Sequence, residues 1–157
     1  MNYLLFFLLV TVTICQDEYG CEDCECPDLL DKLFYPFRSE VLYTEEAGCV
    51  RNLTCKTDVS TFVRFNFTDS EIPRPDDSYY DAYALTSESP EVPTGPNINI
   101  FQFFGMICEN NEWYITKYPS GIFYGTFSGE ESVIGANGEL DGKKAKIFGI
   151  HCEPPSQ

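Results

Sequence analysis

The cysteines are the residues of this 157-residue chain whose type and spacing offer chemistry most directly. Cys21 and Cys24 form a Cys-x-x-Cys pair, which in a reducing compartment is typical of a redox site or of half a zinc site. A zinc site needs a second pair of ligands, and the chain has only one histidine, His151. We therefore predict disulfide bonds and no metal. The candidates are Cys21, Cys24, Cys26, Cys49, Cys55, Cys108 and Cys152.

An odd number of candidates predicts three bridges and one remaining thiol, since Cys15 lies in the apolar N-terminal segment described below. Six cysteines allow about 15 pairings, and all of them stay open at this point. Cys21 and Cys24 lie in an acidic segment without periodic structure. We expect one of these two to be free or to form a disulfide-linked dimer with another chain.

No group of residues in the sequence indicates a catalytic site. A nucleophile needs a neighbouring base, and His151 lies on a predicted strand beside a disulfide candidate. The chain has neither a Gly-x-Ser-x-Gly motif nor a glycine-rich phosphate-binding loop. We predict no catalytic residue, no cofactor and no enzymatic activity. A small hydrolase that uses two of the 25 acidic side chains stays open as an alternative, because sequence spacing does not report distance in the fold.

Two triplets match the acceptor motif for N-linked glycans. They begin at Asn52 and Asn66, and each has a threonine two residues later. A glycan requires an asparagine in contact with solvent, so both residues should lie on the outward face of whatever element carries them. We predict glycosylation at both positions.

The N-terminal segment predicts secretion. Residues 1–15 contain no charged side chain, and the apolar run from 3 to 14 is too short to cross a bilayer as a helix. Thr13 and Cys15 are small enough to precede a cleavage site, and the chain becomes polar at once with Gln16. We predict a signal peptide at 1–15, an acidic cysteine-containing leader at 16–25 and a secreted, extracellular protein. An uncleaved anchor stays open as the alternative, because the terminal amine is the only positive charge before the apolar run.

The formal net charge of -15 excludes some classes of partner. Such a surface repels phosphate backbones and acidic membrane leaflets, so neither nucleic acid nor membrane is expected as a partner. The remaining classes are an extracellular protein or a glycan.

The elements that must position these residues are mainly strands. Residues 49–55 and 59–67 alternate apolar and polar side chains, which indicates half-buried strands with Asn52 and Asn66 on their outward faces. Leucines at three- and four-residue spacing after Asp28 indicate one short N-terminal helix that Asp28 caps. The predicted fold is a single antiparallel β-sandwich-like domain at 26–152, with a short tail at 153–157.

The second half of this domain begins with a loop. Residues 69–96 hold five prolines and many acidic side chains, which predicts a long acidic surface loop. Residues 98–108 are apolar on both faces of one extended strand. A Tyr118-Pro119-Ser120-Gly121 turn should join 113–116 to 122–127 as a hairpin, and a last strand should cover 144–152.

Two aromatic residues of this region are candidates for ligand binding. Trp113 and Tyr118 could form an exposed platform for a sugar or a protein partner, although the core of the hairpin is the alternative role for both.

Residues that carry a family resemblance lie mostly in the C-terminal third. They are Ile107, Cys108, Trp113, Lys117 to Pro119, Gly121, Ile122, Gly138, Leu140, Gly142 to Lys144, Lys146, Ile147 and Cys152, with weaker similarity around Cys26, Cys49 and Cys55. On these residues the chain resembles a nematode-specific family of small secreted cysteine-containing domains of unknown function. The resemblance implies secretion and disulfides and adds no catalytic residue. Cys21 and Cys24 depart from the pattern.

These observations favour a secreted, non-enzymatic binding or interaction domain. A structural, matrix-associated component is the alternative, which a cysteine that joins chains would favour.

Overall fold

Antiparallel β-strands are the main regular secondary structure of the described residues. The computed structural model describes residues 23–34, 41–87 and 95–154. The signal peptide predicted at 1–15, the start of the leader and Cys21 lie outside these residues. Within them the strands are β1 (Val41–Glu45), β2 (Arg51–Cys55), β3 (Phe62–Asn66), β4 (Ser78–Leu85), β5 (Ile98–Asn99), β6 (Ile107–Glu109), β7 (Glu112–Ile115), β8 (Ile122–Thr126), β9 (Glu131–Ile134), β10 (Ala145–Lys146) and β11 (Gly149–His151).

The strands form three sheets in the described part of the chain. The largest has five strands in the order β11-β3-β4-β8-β9, and two smaller sheets have the orders β1-β2-β5 and β10-β7-β6. Every pairing between these strands is antiparallel. The mainly β, antiparallel fold predicted from the alternating patterns is confirmed.

One apolar core joins the three sheets. Phe65 enters it from the five-stranded sheet, Leu53 from the β1-β2-β5 sheet and Trp113 from the β10-β7-β6 sheet, and all three side chains are fully buried. Successive side chains of a strand point to opposite faces, so each sheet contributes one face to the core and leaves the other to solvent. This arrangement fits the expected sandwich-like layers.

The inward and outward faces predicted for 49–55 and 59–67, which contain β2 and β3, are confirmed. In β3, Val63 and Phe65 are buried while Arg64 and Asn66 are only partly covered. In β2, Leu53 and Cys55 are buried and Asn52 is exposed. The local alternation was enough to predict the register because each strand has one solvent-exposed and one buried face.

Three disulfides fasten the core to its edges. They join Cys24 to Cys49, Cys26 to Cys108 and Cys55 to Cys152. The predicted number of bridges is therefore confirmed for the described residues. The prediction that Cys24 could be free or link two chains is wrong, because its sulfur is bonded to Cys49. Of the two candidates for that role, only Cys21 remains.

Where a short N-terminal helix of one or two turns is predicted, the chain forms a single 3₁₀ turn, Leu29–Lys32. The Asp28 side chain accepts a hydrogen bond there from the Leu30 amide at 2.9 Å. The predicted cap is thus present. The turn ends at Leu33, which pairs with Ile150 at the edge of the five-stranded sheet, so sheet pairing replaces a second helical turn.

The single long loop predicted at 69–96 is wrong, because β4 occupies its middle. β4 lies between β3 and β8 near the centre of the largest sheet. Ala82 and Ala84 are buried and Tyr83 lies between them on the opposite face. None of the five prolines falls within the strand, but they flank it closely enough to hide its alternation.

The single strand predicted at 98–108 is also wrong. Asn99 accepts a hydrogen bond from the Gln102 amide at 3.2 Å and starts a helical turn, α1 (Ile100–Phe103). Ile100 and Phe104, four residues apart, are both fully buried. An apolar run without alternation is compatible with a buried helical turn and with a strand that is buried on both faces. Tertiary packing decides between them, and here it favours the turn.

The predicted hairpin does not form, although its turn does. The Gly121 amide donates to the Tyr118 carbonyl at 2.9 Å, but β7 then pairs with β6 and β10 while β8 pairs with β4 and β9. The turn passes the chain between sheets. The last predicted strand, 144–152, divides in the same way: Lys146 ends β10 in one sheet and Gly149 begins β11 in another.

Candidate ligand-binding face

The solvent side of the five-stranded sheet carries a row of aromatic rings. His151, Phe62, Tyr83 and Phe123 come from β11, β3, β4 and β8 in that order, and we call them the aromatic ladder. The Phe62 ring stacks on His151 at 4.7 Å between centroids and contacts Tyr83 at 5.6 Å, and Tyr83 stacks on Phe123 at 5.9 Å. The contacts continue across four adjacent strands.

Strand geometry explains why these rings face outward. His151 is paired with Phe62, and Tyr83 is paired with Phe123, so the members of each pair share one face. The following residues on β3 and β4, Val63 and Ala84, fill the core. The ladder rings are half-buried by one another and keep part of their surface in solvent.

Two glycines let further rings lie on the same face. A Cβ on Gly149 would come within 2.6 Å of Cζ of Phe34, and a Cβ on Gly125 would come within 3.3 Å of Cδ2 of Tyr79. Tyr79 in turn meets the ring of Phe127 edge-on at 5.3 Å. The bare backbone at these glycines extends the aromatic surface beyond the ladder.

Two shallow grooves share the rings of Phe62 and Tyr83. The larger, about 590 Å³, runs along the ladder past Phe123 and is bordered by the carboxylates of Glu131 and Glu153. The smaller, about 430 Å³, lies on the other side of Phe62. Apolar floors with a few polar groups at the rim are the usual composition of ligand sites.

The polar groups of the two grooves differ in how far they are neutralised. In the smaller groove, Arg64 and Asp81 form an ion pair at 2.6 Å, and the Arg64 guanidinium lies 5.5 Å from the ring centre of Phe148. In the larger groove, Glu153 contacts His151 at 2.6 Å. No described side chain forms an ion pair or hydrogen bond with the carboxylate of Glu131.

A separate polar pocket of about 450 Å³ gathers the carboxylates that a hydrolase would need. The Lys144 ammonium contacts Glu109 at 2.7 Å and Glu71 at 3.6 Å. A hydrogen bond from the backbone amide of Lys144 lowers the pKa of Glu71. A general acid requires a raised pKa, so the structure gives Glu71 the opposite of what acid catalysis demands.

Comparison with known protein families identifies the family of this chain but no activity. A family model described as TRA-1 regulated protein R03H10.4 matches residues 22–152. The chain belongs to this nematode-derived family of uncharacterised proteins. Comparisons with curated proteins and with solved structures gave no significant match. The family resemblance carried by the C-terminal third is confirmed, and the match extends over all three bridges and the whole ladder.

Within this TRA-1 regulated family member, the two aromatic residues predicted to bind ligand lie in the core. Trp113 and Tyr118 are both 0% exposed. Trp113 donates from Nε1 to the Pro27 carbonyl at 2.8 Å, and the Tyr118 hydroxyl donates to the Lys143 carbonyl at 2.9 Å. An exposed platform at these residues is wrong, and their alternative role in the core is confirmed.

Both predicted glycan acceptors are reachable from solvent. Asn52 is exposed on β2, and Asn66 is partly exposed at the end of β3. Asn66 lies on the same face as the ladder, four residues beyond Phe62 and therefore about 13 Å along the strand. In each triplet the threonine hydroxyl donates to the asparagine Oδ1, at 2.8 Å for Asn52 and 2.7 Å for Asn66.

Sequence reasoning missed the ladder because two of its four members lay in misassigned segments. Tyr83 belonged to the predicted loop, and Phe123 to a predicted hairpin. The signal that could have found them is a half-buried strand with an aromatic residue at an outward position, as at Phe62.

None of the helical segments in the described part of the chain has the length and apolar composition of a membrane span.

Proposed function

We propose that this protein is a secreted, non-enzymatic extracellular binding domain whose binding surface is the aromatic ladder. The observation that supports it is the continuous row of half-buried rings from His151 to Phe123 on the solvent side of the sheet. Aromatic side chains bring large contact area at little entropic cost, and they are enriched where proteins bind partners. The partner is an extracellular protein or a glycan rather than nucleic acid or membrane, as the charge of -15 favours.

The proposed location rests on three features that agree. Residues 1–15 have the composition of a signal peptide, disulfides form in oxidising compartments, and the acceptor triplets at Asn52 and Asn66 present their asparagines to solvent. Cleavage after Cys15 would leave Cys21 without a partner among the three bridges. We propose that Cys21 is the thiol through which two chains can join, which a non-reducing gel of the secreted protein and of Cys21→Ser tests.

Capture from extracellular extract tests the proposed binding surface. The bait is the secreted, glycosylated full chain, compared with the ladder variant Tyr83→Ala/Phe123→Ala. The matched control is Tyr80→Ala, which removes an exposed ring that lines neither groove. We expect partners that the wild type and the control retain and the ladder variant loses. Identical captures by all three baits would refute the ladder as the binding surface.

A further inference from the structure

We propose that the larger groove of the aromatic ladder receives a basic side chain of a partner protein, arginine in preference to lysine. The inference rests on the proposed binding function and specifies the chemistry of the partner. The groove combines the two features that bind a guanidinium together, which are ring faces and an unneutralised carboxylate.

The floor of the groove offers aromatic rings. Tyr83 and Phe123 both line it, and each ring keeps part of its surface in solvent. The negative face of an aromatic ring attracts a cation within about 6 Å of its centre. This protein already uses the contact elsewhere: Arg64 lies over Phe148 at 5.5 Å and Arg74 over Tyr80 at 4.8 Å.

The rim of the larger groove carries carboxylates but no lysine or arginine. Glu131 and Glu153 border it, and no lysine or arginine lines it. Glu153 is held by His151, whereas Glu131 has no ion-pair partner among the described residues. The smaller groove differs, because its carboxylate, Asp81, already forms an ion pair with Arg64. Charge complementarity therefore favours a cationic occupant in the larger groove.

The segments of this chain outside the described residues supply little matching charge. Residues 16–22 and 88–94 carry five acidic side chains between them, with no lysine or arginine in either segment. Residues 35–40 carry one arginine, Arg38, together with Glu40, so that segment has no net charge. A partner protein is the source that we propose for the basic side chain.

Arginine suits the groove better than lysine because of its shape. The guanidinium is planar and can lie flat on a ring while its N–H groups donate to a carboxylate at the side. Lysine carries a compact, strongly hydrated charge and loses more on leaving water. A partner with exposed arginines on an extended segment satisfies both the rings and Glu131.

The test measures binding of labelled Gly-Arg repeat peptides to the full, secreted chain by fluorescence anisotropy, beside matched Gly-Lys, Gly-Ser and Gly-Glu peptides. We expect affinity to fall in the order arginine, lysine, serine, with no binding of the glutamate peptide. Phe123→Leu should weaken arginine-peptide binding about threefold, since it removes a ring but no charge. Glu131→Gln should weaken it about as much while preserving side-chain shape.

Two control variants separate the groove from the general attraction of an acidic protein. Tyr80→Leu removes an exposed ring outside the groove, and Glu139→Gln removes an exposed carboxylate outside it. Both should bind the arginine peptide as the wild type does. If Phe123→Leu binds like the wild type, or if Glu139→Gln loses as much as Glu131→Gln, the inference is wrong.

The outcome is distinguishable from failure of the proposed function itself. Chitotetraose serves as a neutral probe on the same variants. If the sugar or the serine peptide binds and Phe123→Leu weakens it, while the arginine peptide has no preference, the ladder is a binding surface for uncharged ligands and only the cationic partner is refuted.

Discussion

Tyr83 and Phe123 lie directly opposite each other on β4 and β8, with their ring centres 5.9 Å apart and 14° between the ring planes. They occupy the solvent face of a sheet whose other face fills the core. Each ring covers the other, so both are half-buried without a ligand. A stacked pair of this kind stabilises the fold beyond the apolar area that it buries.

The stacked pair should show energetic coupling. In a double-mutant cycle of Tyr83→Ala and Phe123→Ala, we expect a coupling free energy of unfolding of about 1 kcal/mol, because offset aromatic pairs contribute about that much beyond buried area. Chemical denaturation of the four proteins measures it. The exposed pair Tyr79 and Phe127 is the control and should couple more weakly. Additive losses at Tyr83 and Phe123 would contradict the prediction.

Trp113 should be the most sensitive aromatic position to a conservative change. Its ring is fully buried and its Nε1 donates to the Pro27 carbonyl at 2.8 Å. Trp113→Phe keeps an aromatic ring but loses the donor and leaves a void, so we expect unfolding free energy to fall by about 2 kcal/mol. Tyr114→Phe, at the half-buried neighbouring position, should change it by less than about 0.5 kcal/mol. Equal effects would show that burial does not set the cost here.

The three bridges should not contribute equally to stability. Cys55 and Cys152 are 97 residues apart, whereas Cys24 and Cys49 are 25 apart. Closing the longer loop removes more entropy from the unfolded chain, by about 1 kcal/mol in a simple loop model. We expect Cys55→Ser/Cys152→Ser to destabilise the protein more than Cys24→Ser/Cys49→Ser does. Thermal unfolding of both variants measures the difference, and the reverse order would contradict it.

Acid should weaken the fold partly through Glu71. The hydrogen bond from the Lys144 amide lowers the pKa of Glu71 below its ordinary value of 4.5. A carboxyl whose pKa is lower in the folded than in the unfolded state adds stability above about pH 4.5 and loses that contribution as the pH falls. Glu71→Gln should therefore be less stable than the wild type at pH 7 and close to it at pH 3.

The control for this pH dependence is Glu139→Gln, which removes a carboxylate in an exposed turn outside the pocket of Glu71 and Lys144. Its difference from the wild type should stay nearly constant between pH 7 and pH 3. Urea unfolding at both pH values measures each difference. A Glu71→Gln variant with the same deficit at pH 3 as at pH 7 would contradict the assignment.

Local patterns predicted the parts of the fold that one residue period determines. The alternation around Val63 and Phe65 gave the correct inward face of β3, and the predicted Asp28 cap is present on a single 3₁₀ turn. These features depend on near neighbours along the chain. Their physical cause is contained within a few residues, so a sequence is enough to find them.

Features that depend on distant partners were beyond sequence patterns. The turn at Gly121 looked like a hairpin, but β8 gains more contact with β4, some 40 residues earlier in the chain, than with β7. β4 itself lay hidden between proline-rich flanks. The ladder requires β11, β3, β4 and β8 to be adjacent, and that adjacency is a property of long-range pairing. The sequence could therefore indicate single outward aromatic residues such as Phe62, but not that rings from four strands would lie side by side.

The glycan acceptors provide a prediction that joins modification to local structure. Oδ1 of Asn66 accepts hydrogen bonds from the amide and the hydroxyl of Thr68, at 2.9 and 2.7 Å, and so caps the 3₁₀ turn Phe67–Asp69. An N-linked sugar attaches to the other atom of the amide, Nδ2, so capping and glycosylation can coexist. We expect Thr68→Ser to keep both and Thr68→Val to lose the glycan while the amide cap persists.

Mass analysis of the secreted protein before and after glycosidase treatment measures occupancy, and unfolding of the deglycosylated proteins measures the cap. Asn66→Ala should lose the glycan and about 1 kcal/mol of stability, since a capping side chain is removed. Asn52→Ala is the matched control: it should lose its own glycan with a smaller change in stability, because Asn52 lies within a strand and caps no turn. Equal destabilisation by the two variants would contradict the capping role of Asn66. An unglycosylated wild type would contradict the predicted glycans.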